Sequence, residues 1–216
     1  MTIRHHVKDE LLLDYVSGRL GESWGVVVAT HLTLCQRCRD YEAHLNGVGG
    51  FALQALTPVS LTDGALARCR DRIKAPLPRE SAPAPWREPS DGMTFPKPLC
   101  EYVGRTLEGV RWRPLAGGLR HRILDTADAA RARLLYLPAG AFVPEHGHSG
   151  LELMLVLAGT IAEGDHVFGR GDLAVADETV THAATAGRDA PTVCLIASDG
   201  PPLFSGRRAM PPTPRV

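Results

Sequence analysis

The chain has 216 residues, and its 24 Lys+Arg balance 24 Asp+Glu, so no net field draws it to nucleic acid or to anionic lipid. That length exceeds one ordinary domain and is short for three, so two small units are expected, each with a modest core. Five cysteines are too few and odd in number for a disulfide scaffold, and neither a secretory leader nor a run of ~18 apolar residues is present, so the expected protein is cytoplasmic and free of the membrane.

Residues 1–74 read as helical. Asp9 and Glu10 open a first helix in which Leu12, Tyr15, Val16 and Leu20 recur at helical spacing, closed by Gly18 or Gly21. A second runs from Glu22 to about Leu34 with Val26, Val27, Thr30 and Leu34 as its stripe. A third extends from about Gln36 towards Leu56, its second half loosened by Gly47, Gly49 and Gly50. Thr62 is the expected N-cap of a short fourth helix carrying Leu66, Cys69 and Ile73 on one face.

Residues 75–98 hold seven prolines and no apolar period, which predicts a semi-extended linker leaving few contacts between the units it joins. Beyond it the chain turns to short strands: Val110–Pro114, Arg120–Leu124, Ala132–Pro138, Leu151–Ala158, Asp165–Phe168, Asp172–Val175 and Thr192–Ala197. Seven short strands over residues 99–206 predict a β-sandwich or small barrel, and the Pro-rich tail 207–216 is expected to be flexible.

Two clusters carry chemistry. His31 and Cys35, four apart, share one helical face, and Cys35 with Cys38 makes the compact turn that thiolate ligands of zinc use. A fourth donor is then needed, and His5 or His6 supplies it. The reversed order of the ligands and the lack of a basic helix exclude a DNA-reading finger. Cys69, Cys100 and Cys194 read as plain residues.

This order, an upstream His and then His-x3-Cys-x2-Cys in a small helical unit, resembles the zinc-binding anti-sigma domain. The resemblance implies His6, His31, Cys35 and Cys38 as zinc ligands. It also implies helices that clamp an alternative sigma factor of the extracytoplasmic-function group. No cysteine precedes Cys35, so the additional early cysteine of the redox-switch members is missing.

In the second half, His146 and His148 lie two apart on one strand face, and Glu152 returns to the same cavity after the bend at Ser149 and Gly150. Gly140 precedes this group, Gly159 follows it, and Gly171 with Asp172 leads to His182. The pattern is similar to both halves of the cupin motif, which implies His146, His148, Glu152 and His182 as ligands of a divalent transition metal, zinc first and Fe, Mn or Ni otherwise. Asp177 and Thr179 replace the Pro and Gly of the second motif, and Ala186 its Asn. His121 and His166 fall outside the motif and read as surface or strand residues.

The expected fold class is therefore multi-domain α and β: a small zinc-bound helical unit over 1–74, the linker 75–98 and an all-β cupin barrel over 99–206. Together, MTIRHHV, VVVATHLTLC and HGHSGLEL resemble the ChrR family of anti-sigma factors. The resemblance implies a non-enzymatic transcriptional inhibitor that holds a sigma factor, in a 1:1 complex, and responds through its cupin to singlet oxygen or related oxidants, with no direct nucleic-acid contact. Two rival classes share the second cluster: a metal-dependent cupin enzyme of dioxygenase type, and a cupin regulator sensing a small ligand.

Overall fold

The computed structural model describes residues 2–75 and 93–204; the expected tail and residues 76–92 of the expected linker lie outside the described residues. Four helices form the first part: α1 (Asp9–Val16), α2 (Glu22–Leu34), α3 (Gln36–Gln54) and α4 (Ala65–Lys74). α3 runs unbroken through Gly47, Gly49 and Gly50. The helix keeps its own hydrogen bonds there, and the three glycines face open space. Thr62 does not cap α4. Gly64, at φ 71°, is the capping residue, and the Thr62 hydroxyl instead accepts from Arg68 Nη2 at 2.9 Å.

A fifth helix, α5 (Lys97–Val103), begins within the segment read as linker, and Phe95 just before it and Leu99 within it are fully buried. Pro98 does not stop it, because a proline in the first turn gives up an N–H that has no intrahelical partner.

The remainder is a two-layered β-structure. Six strands pair in the order β1 (Arg113–Pro114), β2 (Arg120–Ile123), β3 (Arg131–Leu137), β10 (Thr192–Ser198), β5 (Glu152–Ala158) and β8 (Leu173–Ala176). Five pair as β11 (Leu203–Phe204), β4 (Phe142–Gly147), β9 (Thr181–Ala186), β6 (Thr160–Glu163) and β7 (His166–Gly169). The layers enclose a core of Leu135, Leu137, Met154, Val156, Ile161, Phe168 and Ile196, and no ladder among the described residues closes them into one continuous barrel. Gly159 turns the chain out of β5 at φ +71°, where a Cβ would stand 2.5 Å from the Pro191 carbonyl.

β5 and β10 are buried at nearly every position, as strands covered on both faces must be. Their inner faces meet the second sheet. Their outer faces meet α2, whose Val26, Val27, Val28 and Leu32 join Leu134, Leu153, Leu155 and Leu195 in one core. The expectation of few contacts between the units is thus overturned: α2 is sandwiched between the other helices and the sheet.

Polar contacts fix the same junction. The α2 N-terminus has no capping side chain of its own, since Gly21 stands there, and Asp128 from the β2–β3 connection fills that role. Asp128 accepts from the Ser23 N–H at 3.1 Å and from the Ser23 hydroxyl at 2.6 Å. Glu22 accepts from the Ala127 N–H and the Tyr102 hydroxyl, both at 2.7 Å.

Candidate metal centres

The first cluster forms where α2 breaks into α3. Cys35 is extended at φ −108°, which ends α2 after His31 has completed its last turn and starts α3 with Cys38 in its first. An extended segment before α1 brings His6 to the same point. One ligand atom from each of His6, His31, Cys35 and Cys38 lies within 4.8 Å of the others. His6 Nδ1 is 3.3 Å from Cys35 Sγ and 3.7 Å from Cys38 Sγ, and His31 Nε2 is 3.3 Å from Cys38 Sγ.

These spacings and this donor set fit a metal ion. Ligands about 2.0 to 2.3 Å from a shared zinc at tetrahedral angles stand roughly 3.3 to 3.8 Å apart. Burial pushes the Cys38 thiol up to about 11 and, with the Gly171 backbone opposing, the His31 imidazole down to about 4. Neutral imidazole is the form that binds metal, whereas two buried thiolates require a compensating cation.

A contact with the cupin separates His5 from His6. His5 turns away: its Nδ1 lies 3.4 Å from Asp172 Oδ1 and its ring packs on Phe168 at 4.4 Å between centroids. His6 is left to face the cysteines.

The second cluster lies between the two sheets. His146 on β4 stands opposite His182 on β9, His148 follows β4 directly, and Glu152 opens β5 from the facing sheet. His146, His148 and Glu152 are buried, and the four ligand atoms again lie within 4.8 Å of one another. His146 Nδ1 is 2.9 Å from the Pro144 carbonyl and His182 Nδ1 is 3.0 Å from Glu163 Oε2, so both rings are held with Nε2 inward. His148 Nε2 and His182 Nε2 stand 3.0 Å apart. Nitrogens about 2.1 Å from one ion are roughly 3.0 Å apart at a right angle and roughly 3.4 Å at the tetrahedral angle, so this spacing fits two imidazoles that share one ion.

Burial raises the Glu152 carboxyl and lowers His148 to about 4, His182 and His146 adding to the latter. The hydrogen bond to Glu163 raises His182.

Two residues of this site escape the motif. Glu163 holds His182 from β6, and Arg133 on β3 reaches to 4.0 Å from Glu152 Oε2. Arg133 had a signal: it is a charge at an inward-facing position of the apolar run RARLLYL. Glu163 had none. Both histidines read as surface or strand residues lie on strands, His166 exposed on β7 and His121 buried on β2. Cys69 is exposed, Cys100 is half-buried, Cys194 is fully buried in the core, and all are free thiols.

Residues 101–201 match the family described as the ChrR Cupin-like domain. Over 205 residues, 95% of this chain and 94% of its relative, the chain is 46% identical to the anti-sigma-E factor ChrR of Cereibacter sphaeroides.

The chain belongs to the ChrR family of anti-sigma factors.

The solved structure of Rhodobacter sphaeroides SigE in complex with the anti-sigma ChrR is similar across 92% of this chain and 100% of that one, at 45% identity and a TM-score of 0.78. As a member of the ChrR family, the chain is a regulator rather than an enzyme. Among the described residues no helix is long and apolar enough to cross a membrane.

Proposed function

We propose that the chain is a cytoplasmic inhibitor that holds an extracytoplasmic-function sigma factor in a 1:1 complex and releases it when the cupin meets singlet oxygen or a related oxidant. The observation that carries this reading is the end-to-end similarity to ChrR, including the structure solved with SigE.

The helical surface supports it. Val48, Phe51, Leu53 and Leu56 of α3 and its end, Val59 and Leu61 of the following loop, and Leu66 and Ile73 of α4 are all exposed. Isolated apolar residues on a surface are ordinary, but eight along one stretch of about 26 residues make the kind of patch that a protein partner covers.

His6, His31, Cys35 and Cys38 would hold zinc, which supplies a cross-link between the segment before α1 and the α2–α3 junction. His146, His148, Glu152 and His182 would hold a divalent transition metal, zinc first, which supplies a Lewis-acidic centre with an open position. The chain's own residues then connect the two sites. Asp172, in the cupin turn between β7 and β8, accepts from the amides of Arg4 and His5, and α2 lies on β5, whose first residue is Glu152. A change in the cupin thus reaches both the His6 segment and α2 without passing through the 76–92 segment. A hundredfold weakening of sigma binding asks only about 2.7 kcal/mol of such a change.

The test is co-expression with an extracytoplasmic-function sigma factor of the same organism, for the wild type and for a Phe51→Asp, Ile73→Asp double variant. Wild-type protein should co-purify with the sigma factor, and the double variant should lose it while keeping its metal content. Equal capture of both would overturn the assignment of this surface.

A further inference from the structure

Arg133 is a charged residue placed inside the β-structure. It stands opposite Ile196 of β10, and Ile196 stands opposite Met154 of β5. Both neighbours belong to the core between the sheets, and Leu135 and Leu137, two and four positions further along β3, face the same way. Arg133 therefore points to the layer that holds the second cluster.

Its charge is poorly matched there. Glu152 Oε2, at 4.0 Å from Arg133 Nη2, is beyond hydrogen-bond reach, and Arg133 Nε is buried with no partner. A quarter of the side chain remains open to solvent.

A metal ion sharpens the mismatch. Glu152 would turn its charge to the ion, and Glu163 is already committed to His182. A divalent ion would offset these two carboxylates, leaving the Arg133 charge without a counterion in a largely buried site. A buried, unpaired guanidinium is costly, and its planar fork matches a carboxylate in shape.

We propose that the cupin binds a small free carboxylate, one oxygen directed to the ion that His146, His148, Glu152 and His182 would hold and the other on Arg133. This rests on the reading of His146, His148, Glu152 and His182 as metal ligands. A monoanion is the class that balances the site. A neutral ligand leaves Arg133 uncompensated, and a dianion adds a negative charge beside Glu152 and Glu163.

The experiment is calorimetric titration of the full-length, metal-loaded chain with sodium acetate, with acetamide and inorganic phosphate as parallel probes, after metal analysis. Two ions per chain and saturable acetate binding are expected, with no acetamide binding and weaker phosphate binding. Arg133→Met should keep both ions and bind acetate at least about tenfold more weakly. Arg133→Lys, which keeps the charge but loses the fork, should be intermediate, and it carries the test if the Met variant does not fold. A chain holding only one ion overturns the metal reading beneath the proposal. Two ions with no acetate binding, or acetate binding unchanged in the Lys or Met variant, overturns the proposal alone.

Discussion

His5 is fastened to Asp172 through its backbone: its amide donates to Asp172 Oδ1 at 2.9 Å, while its ring Nδ1 lies 3.4 Å from the same oxygen without a hydrogen bond. Asp172 is buried in the cupin, and the residue after His5 is the zinc-ligand candidate His6. Arg4 donates to the same carboxylate at 2.6 Å, the Leu173 amide donates to the His5 carbonyl at 3.1 Å, and Ile3 lies where a Cβ on Gly171 would be, 2.5 Å away. The segment carrying one donor of the first site is thus seated on the turn that leads to the second.

Replacing Asp172 with Ala should free this segment. About 1 to 3 kcal/mol of stability is at stake, since the amides of Arg4, His5 and Gly169 lose a charged acceptor. Hydrogen exchange of the amides of Arg4 and His5 should speed up while exchange in β5 and β10 is unchanged. Unaltered protection of Arg4 and His5 would show that the segment is held by other contacts.

The same contact has a pH signature. Burial raises the Asp172 carboxyl, but the amides of Gly169, His5 and Arg4 outweigh it and hold the carboxyl below its ordinary value. A carboxylate lowered in the folded state contributes stability that is complete above the unfolded value of about 3.9 and is lost as pH falls through the lower folded value. Protection of residues 3–7 should therefore persist at pH 5 and fade below about pH 4. In the Asp172→Asn variant it should show no such step.

Much of the chemistry was legible because ligand sets are local. The spacing from His31 to Cys38 and from His146 to Glu152 survives without knowledge of the fold, and both groups converge. The strands bearing His146 and His182 were harder to see as elements. β4 contains Pro144 and Gly147, and β9 is built of Thr and Ala, so neither shows a strong apolar alternation. α5 was hidden by the prolines around it. The burial of α2 against the sheet did leave a trace, the unbroken apolar runs of β5 and β10, which fit strands covered on both faces. Reading 75–98 as a spacer obscured that consequence.

The shared core bears on how the helical unit behaves alone. A fragment of residues 1–75 would expose the face that Val26, Val27 and Leu32 share with Leu153 and Leu195. Each fully buried side chain of this kind is worth about 1.5 to 3 kcal/mol. The fragment should melt at a lower temperature than the same unit in the full chain and bind an apolar dye. A fragment as stable as the full chain and free of dye binding would contradict the importance of that packing.

Asp128→Ala tests the junction at one cap. Loss of the carboxylate that caps α2 should cost about 1 to 2 kcal/mol, read as a shift in the denaturation midpoint with metal content unchanged. An unshifted midpoint would mean that Glu22 alone holds that end.

Glu163→Gln tests the orientation of His182. The amide keeps the size but loses the charge that fixes the ring, so affinity for the cupin metal should fall about 10- to 100-fold in competition with a chelator, and the ion held by His6, His31, Cys35 and Cys38 should be retained. Equal loss from both sites, or from neither, would contradict that role.

The central claim is that the helical unit inhibits and the cupin cluster makes the inhibition responsive. It is tested most directly by transcription from a sigma-dependent reporter, with and without a photosensitiser in the light, for the wild type and for Glu152→Ala and His182→Ala. The account predicts full repression by all three proteins in the dark, induction of the wild type in the light, and weak or absent induction of both variants. Normal induction in the two variants would contradict it.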